Sequence, residues 1–163
     1  ELGGLARLGV AEDFPFLGAC YGIGTLGVLE GGRVDRTYGE PIGATPISLT
    51  EAGLIDPLFS ALPARFEAFL GHKEAVARMP DGAVLLATGE ACPVQGFRMR
   101  SNVYATQFHP ELDAEDLCLR IDVYREYGYF DPDDADVLKA AAREAPVTEP
   151  PRLLRRFAEL YAR

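Results

Sequence analysis

The stretch Phe14-Pro15-Phe16-Leu17-Gly18-Ala19-Cys20-Tyr21-Gly22 decides how this chain is read. Phe14 to Ala19 is a short apolar run with turn residues before it, the pattern of a buried strand, here expected to be a central parallel one. From Tyr21 to Glu30 the pattern becomes helical, and Gly31-Gly32 is expected to cap the helix C-terminus. Between the two, Gly18-Ala19-Cys20-Tyr21-Gly22 has the glycine spacing of a nucleophile elbow, with cysteine in place of serine. A strand that turns abruptly into a helix leaves the residue at its tip in strained backbone geometry. Side chains two positions to either side are expected to clash there, which accounts for both glycines. The thiol would lie at the first turn of the helix, where unpaired N–H groups and the dipole favour the thiolate. The N–H of Tyr21 would point toward a developing oxyanion. Taken alone, the pentapeptide also describes a glycine-flanked core cysteine at a strand end.

The sequence has only two histidines, His72 and His109. His109 lies in Gln107-Phe108-His109-Pro110-Glu111, directly after a strand-like run from Val103 to Phe108. Pro110 cannot donate to a ladder and biases His109 toward extended backbone, which marks a strand end. In an open α/β sheet, strand ends carry the active-site residues. His109 and Glu111 are two apart, so in extended backbone both side chains leave on the same side. A carboxylate there can hold one ring nitrogen and leave the other facing a thiol, the logic of a triad. The plainer reading of His109, a surface or satisfied core residue, loses ground once the elbow is counted beside it.

Around these motifs the middle of the chain is rich in strands. Thr45 to Leu49, Arg65 to Leu70, Ala83 to Thr88, Val94 to Arg98 and Val103 to Phe108 have strand character, with turn signals at Asp81-Gly82, Gly89 and Ser101-Asn102; strands so closely spaced suggest hairpins and a mixed sheet. Leu2 to Leu8 resembles a helix tail. Helices are expected over Asp113 to Tyr127, Asp133 to Glu144 and Pro151 to Ala162, with Asp113 and Asp133 as N-caps. The expected organisation is a single domain over residues 1–163, with a core to residue 111 and a helical extension over 112–163. A length of 163 residues suits one core. The net charge of −9 opposes binding to phosphate backbones, so nucleic acid is not an expected partner. No apolar run is long enough to span a bilayer, and no signal peptide is visible. Cys20, Cys92 and Cys118 are far apart and odd in number, without the spacing of a zinc site. Cys92 and Cys118 are expected in the core of a reduced, cytoplasmic protein.

The pair FLGACYG and QFHPE resembles the signature of class I glutamine amidotransferases, including GMP synthase glutaminase domains. Gly31-Gly32-Arg33-Val34, Tyr38-Gly39, the segment Gly71-His72-Lys73-Glu74-Ala75-Val76 and Leu86-Ala87-Thr88 extend the likeness from about Pro15 to Glu111. The resemblance implies a flavodoxin-like α/β fold with a central, mostly parallel sheet flanked by helices. It implies a catalytic set of Cys20, His109 and Glu111, with the backbone of Tyr21 in the oxyanion hole and substrate contacts at Gly22, Gly24, Gly71 and His72. It further implies hydrolysis of the glutamine side-chain amide through a γ-glutamyl thioester, without metal or organic cofactor, and transfer of ammonia to a synthase partner.

The likeness has three departures. Gly24 stands where the family usually has glutamine. Gly71 and Lys73 replace serine and glycine around His72, for which a purely structural role is an equal alternative. The strands and glycine-rich loop that family members place before the elbow are not among these residues, so the chain is expected to be an incomplete view of a longer protein. Two alternatives therefore stay open: hydrolysis of another γ-glutamyl amide or peptide, and a non-catalytic domain of the same fold.

Overall fold

The structure is a computed structural model that describes residues 2–162. Among these residues, eight strands and six α-helices follow one another along the chain. They are α1 (Leu2–Ala11), β1 (Phe16–Ala19), α2 (Tyr21–Gly27), β2 (Arg33–Asp35), β3 (Glu40–Leu49), α3 (Glu51–Ile55), β4 (Arg65–His72), β5 (Ala75–Arg78), β6 (Val84–Thr88), β7 (Gly96–Met99), β8 (Val103–Thr106), α4 (Ala114–Tyr124), α5 (Ala135–Glu144) and α6 (Pro151–Tyr161). Six strands form one sheet in the order β1-β8-β7-β6-β3-β4, and β2 and β5 form a separate antiparallel pair.

The expected mostly parallel sheet is corrected to a mixed one. Among the described residues only β1 and β8 run parallel, in the register Phe16↔Val103 to Ala19↔Thr106, while every other pairing is antiparallel. The cause is connection length: a tight turn can join only antiparallel neighbours, whereas a parallel pair needs a long crossover. The link Arg100–Asn102 between β7 and β8 is such a turn, with Arg100 at φ 54°. The strand expected at the centre, β1, stands at the edge of this sheet among the described residues.

An acidic side chain staples the β1–β8 register. Asp13, at φ 50°, accepts hydrogen bonds from the backbone N–H groups of Ser101 (3.0 Å) and Asn102 (2.8 Å). Asn102 returns one through its side-chain amide to the Asp13 carbonyl at 3.2 Å. The loop before β1 is thereby tied to the β7–β8 turn, and Phe16 N–H donates to the Asn102 carbonyl at 3.0 Å.

Alternation along β8 explains how the sheet is covered on both faces. Tyr104 joins Ile47, Phe59, Leu86, Phe108 and Leu153 on one side, whereas Val103 and Ala105 join Ile23, Leu26, Val76 and Phe97 on the other. Because both faces are packed, all four β8 residues are buried. A third cluster, with Phe69, Leu117, Cys118, Ile121 and Ala142, seats α4 and α5 against the sheet.

Several boundaries differ from expectation. Helix α2 stops at Gly27, with Val28 as its C-cap, so Gly31-Gly32 does not cap it; Gly31, at φ 81°, turns the chain instead. A Cβ on Gly27 would come within 2.5 Å of Val76, so this glycine admits close helix–sheet packing. Strand β3 starts at Glu40, five residues before the expected run. Helix α3 lies where the sequence pattern announces no helix; the Thr50 hydroxyl caps it by accepting from Gly53 N–H at 3.0 Å. Asp113 is the cap expected of it, in a reciprocal capping box with Asp116. Asp133 is not a cap: the Asp131 carboxylate accepts from its N–H at 3.1 Å and opens a single 3₁₀ turn ahead of α5.

Candidate active site

Cys20 lies between the end of β1 and the start of α2, at φ 50° and ψ −93°. A β-carbon is strained in that conformation. The surrounding structure holds it there, since Cys20 N–H donates to the Thr106 carbonyl of β8 at 2.8 Å. Gly18 behaves as the elbow requires: a Cβ on it would stand 2.9 Å from Gly22 Cα and 2.9 Å from the Phe16 ring. The matching expectation for Gly22 is overturned, because a Cβ there meets nothing within 4 Å. Tyr21 is the first helical residue, and its N–H has no intrahelical acceptor. Tyr21 is 77% exposed and lines the same cavity as Cys20.

The chain brings His109 to the same place by a different route. The segment after β8 is anchored by His109 N–H donating to the Phe69 carbonyl of β4 at 2.9 Å. Glu111 Oε1 lies 2.6 Å from His109 Nδ1, and Cys20 and His109 line the same cavity, close enough for the thiol to influence the imidazole. Burial pulls the imidazole pKa down, but the hydrogen bonds and charges of Cys20 and Glu111 outweigh it and hold His109 up at about 9. Burial pushes the Glu111 carboxyl up, and the His109 contact with the charge of Arg120 outweighs that, leaving Glu111 below its ordinary value. The three expected catalytic side chains thus converge from two strand ends. Such a set can generate a thiolate, deliver a proton to a leaving group, and activate water.

A cavity of about 1260 Å³ opens over Cys20 and His109. Of the expected substrate contacts, Gly24, Gly71 and His72 line it, whereas Gly22 is not in its wall. A Cβ on Gly24 would meet nothing within 4 Å, so the position is open space. Gly71 has a packing reason of its own: a Cβ there would come within 2.9 Å of Ile42 Cα on β3. The His72 imidazole is buried, with Nε2 at 3.1 Å from the Tyr38 carbonyl and 3.6 Å from Glu40 Oε2. Burial pushes its pKa below the ordinary histidine value. These contacts favour the structural role for its side chain.

Several contacts at and beside the site carry no signal in the sequence. Arg120, on α4, places Nη1 3.1 Å from His109 Nε2 and Nη2 3.5 Å from Glu111 Oε1. Lys73 donates to the Tyr127 carbonyl at 3.3 Å and lies 4.4 Å from the Tyr129 ring centroid, tying the C-terminal segment to the end of β4. Glu40, His72 and Cys92 bring metal-ligand atoms within 4.8 Å of one another, a grouping that linear spacing hides. Each has a protein partner: Glu40 accepts from Gln95 at 2.6 Å, His72 meets Tyr38, and the Cys92 thiol donates to the Val94 carbonyl. Cys92 and Cys118 are buried, as expected, and burial lifts the Cys92 thiol to about 11.

A cysteine on a strand–helix elbow, an acid-paired histidine after a neighbouring strand, and helices on a mixed sheet define an α/β protein built for thiol chemistry. The family model for class-I glutamine amidotransferases matches residues 5–117, and the chain belongs to that family. It is 33% identical over 101 residues to the glutamine-hydrolyzing GMP synthase of Thermosipho melanesiensis, covering 61% of this chain and 19% of the relative. It is 29% identical over 114 residues to a glutamine-hydrolyzing GMP synthase subunit of Thermoplasma acidophilum, covering 69% of this chain and 56% of the relative. The chain therefore spans about a fifth of the former relative and somewhat over half of the latter. Among solved structures, a glutamine amidotransferase from Thermotoga maritima superposes with a TM-score of 0.78 at 26% identity, over 97% of this chain and 66% of that one. One from Methylobacillus flagellatus gives 0.64 at 25% identity, over 98% and 62%. No helix among the described residues is long and apolar enough to cross a membrane.

Proposed function

We propose that this chain carries a glutaminase site. The Cys20 thiolate attacks the side-chain amide carbon of glutamine. The Tyr21 N–H stabilises the oxyanion that develops. His109 gives its proton to the departing ammonia as the C–N bond breaks, leaving a γ-glutamyl thioester. The same imidazole then takes a proton from water, hydroxide adds to the thioester, and glutamate leaves as the thiolate returns. Glu111 holds the imidazole through Nδ1, so that Nε2 faces the reaction. The ammonia passes to an acceptor, for which a synthase subunit is the partner suggested by the GMP synthase relatives.

The observation that carries this reading is His109, paired with Glu111 at 2.6 Å and sharing one cavity with a Cys20 whose backbone sits at φ 50°. Ammonia release from glutamine tests it, with the full-length wild type beside Cys20→Ala. Release that vanishes in the variant is the expected result; equal release from both would rule the site out. A second reading, hydrolysis of a larger γ-glutamyl amide, is favoured by the open space at Gly24 and the size of the cavity.

A further inference from the structure

Arg120 makes contacts that hydrolysis of free glutamine leaves unused. A guanidinium only donates hydrogen bonds, and it pairs best with a carboxylate that takes two of them. Among the described residues, Glu111 is its one carboxylate partner within 4.0 Å, at 3.5 Å, and that oxygen already lies 2.6 Å from His109 Nδ1. The other close neighbour is His109, with Nη1 at 3.1 Å from Nε2 and 3.4 Å from Nδ1. When the imidazole is protonated it too is a donor, so two cations then face each other. The Arg120 side chain is 38% exposed in the wall of the Cys20 cavity. An arginine with unspent donors therefore stands open to the cavity, beside the nitrogen that serves as general acid.

Chemistry says which part of a substrate arrives there. The leaving nitrogen collects its proton from His109 Nε2, so whatever else that nitrogen carries lies within a few ångströms of Arg120. In glutamine the leaving nitrogen carries only hydrogens, and the guanidinium gains no acceptor. The cavity has room for more, since about 1260 Å³ exceeds the roughly 300–1,000 Å³ usual for small-molecule sites.

We propose that Arg120 is the receptor for a carboxylate on the leaving amine, so that the site takes γ-glutamyl amino acids in preference to γ-glutamyl amides that lack this charge. The inference rests on the roles given above to Cys20, His109 and Glu111 and deepens the second reading, a larger γ-glutamyl amide, with glutamine the lesser substrate. The thiolate adds to the γ-carbonyl, the C–N bond breaks, and the amino acid leaves as its amine takes the His109 proton. Water and the same imidazole then release glutamate and restore the thiolate. Arg120 holds the leaving amino acid by its carboxylate, so the amine stays aligned with Nε2.

The test compares γ-glutamylglycine with γ-glutamylmethylamide, which differ by that carboxylate, and with glutamine. Each is assayed with full-length wild type, Cys20→Ala, Arg120→Ala and Arg120→Lys. The quantity read is the ratio of kcat/KM for the first two compounds within one variant, so a general loss of activity cancels. The wild-type ratio is expected at about 10- to 100-fold, the worth of a charge-assisted hydrogen bond. It should fall close to one in Arg120→Ala and stay intermediate in Arg120→Lys. A wild-type ratio near one, or a ratio that persists in Arg120→Ala, overturns the proposal. If Arg120→Ala does not fold, Arg120→Lys and the wild-type ratio still decide. Cys20-dependent release of ammonia from glutamine with no carboxylate preference would sink this inference and leave the glutaminase reading standing. No Cys20-dependent hydrolysis of any of the three compounds would remove both.

Discussion

Replacing Glu111 by glutamine isolates the electrostatic core of the site. The substitution keeps the side-chain shape but removes the charge that lies 2.6 Å from His109 Nδ1. In the wild type the imidazole is held at about 9, against an ordinary value of about 6.5. That difference corresponds to about 3 kcal/mol favouring the folded, protonated state, taking 1.36 kcal/mol per pKa unit. The sign follows from linkage: a raised pKa stabilises the fold fully below about 6.5, and this contribution is lost as the pH rises through about 9. Cys20 and Glu111 both raise the imidazole, so Glu111→Gln should move the His109 titration part of the way down and reduce, without abolishing, the stability loss between pH 6.5 and 9. Proton NMR can follow this directly, because the chain has only two histidines. His72, pushed down by burial, should titrate well below His109. Urea unfolding at several pH values supplies the matching stability curve. A wild-type His109 titrating near 6.5, or one that ignores the substitution, would mean that the Glu111 charge does not hold the imidazole.

Three further outcomes follow from the packing. Gly18→Ala should cost about 1–3 kcal/mol, because its Cβ meets backbone at 2.9 Å, whereas Gly22→Ala should leave stability nearly unchanged; thermal unfolding of both variants compares them. Asp13→Ala should lower stability by about 1–3 kcal/mol, since two backbone N–H groups lose their acceptor. Hydrogen exchange should show the loss first at Ser101 and Asn102. Gly24→Gln should fold as the wild type does, given the open space at that position, and should lower the KM for glutamine; an unfolded variant or an unchanged KM would count against Gly24 as a substrate contact.

The parts of this structure that are legible in sequence are local ones. The elbow can be seen because strand, glycine, cysteine and helix are contiguous, and the His109–Glu111 pair because two residues of extended backbone share a side. Sheet direction is legible where a turn signal joins two strands, as at Gly89 and Ser101-Asn102, which link antiparallel pairs; an apolar strand taken alone looks alike in either direction. Helix α3 is hidden by Gly53, which lowers helix propensity but admits close packing against β6. Gly22 fits the elbow spacing, yet the backbone gives it no steric role. Arg120 and the Glu40–His72–Cys92 group are out of reach, because their neighbours are brought together only by the seating of α4 and by the β3–β4 pairing.

The proposed glutaminase chemistry requires a covalent γ-glutamyl intermediate on Cys20. Acid-quenched reactions of the full-length protein with glutamine, digested and analysed by mass spectrometry, test it most directly. A γ-glutamyl adduct is expected on the peptide that contains Cys20, absent in Cys20→Ser and never on Cys92 or Cys118. Ammonia released without that adduct, with Cys20→Ser as active as the wild type, would contradict it.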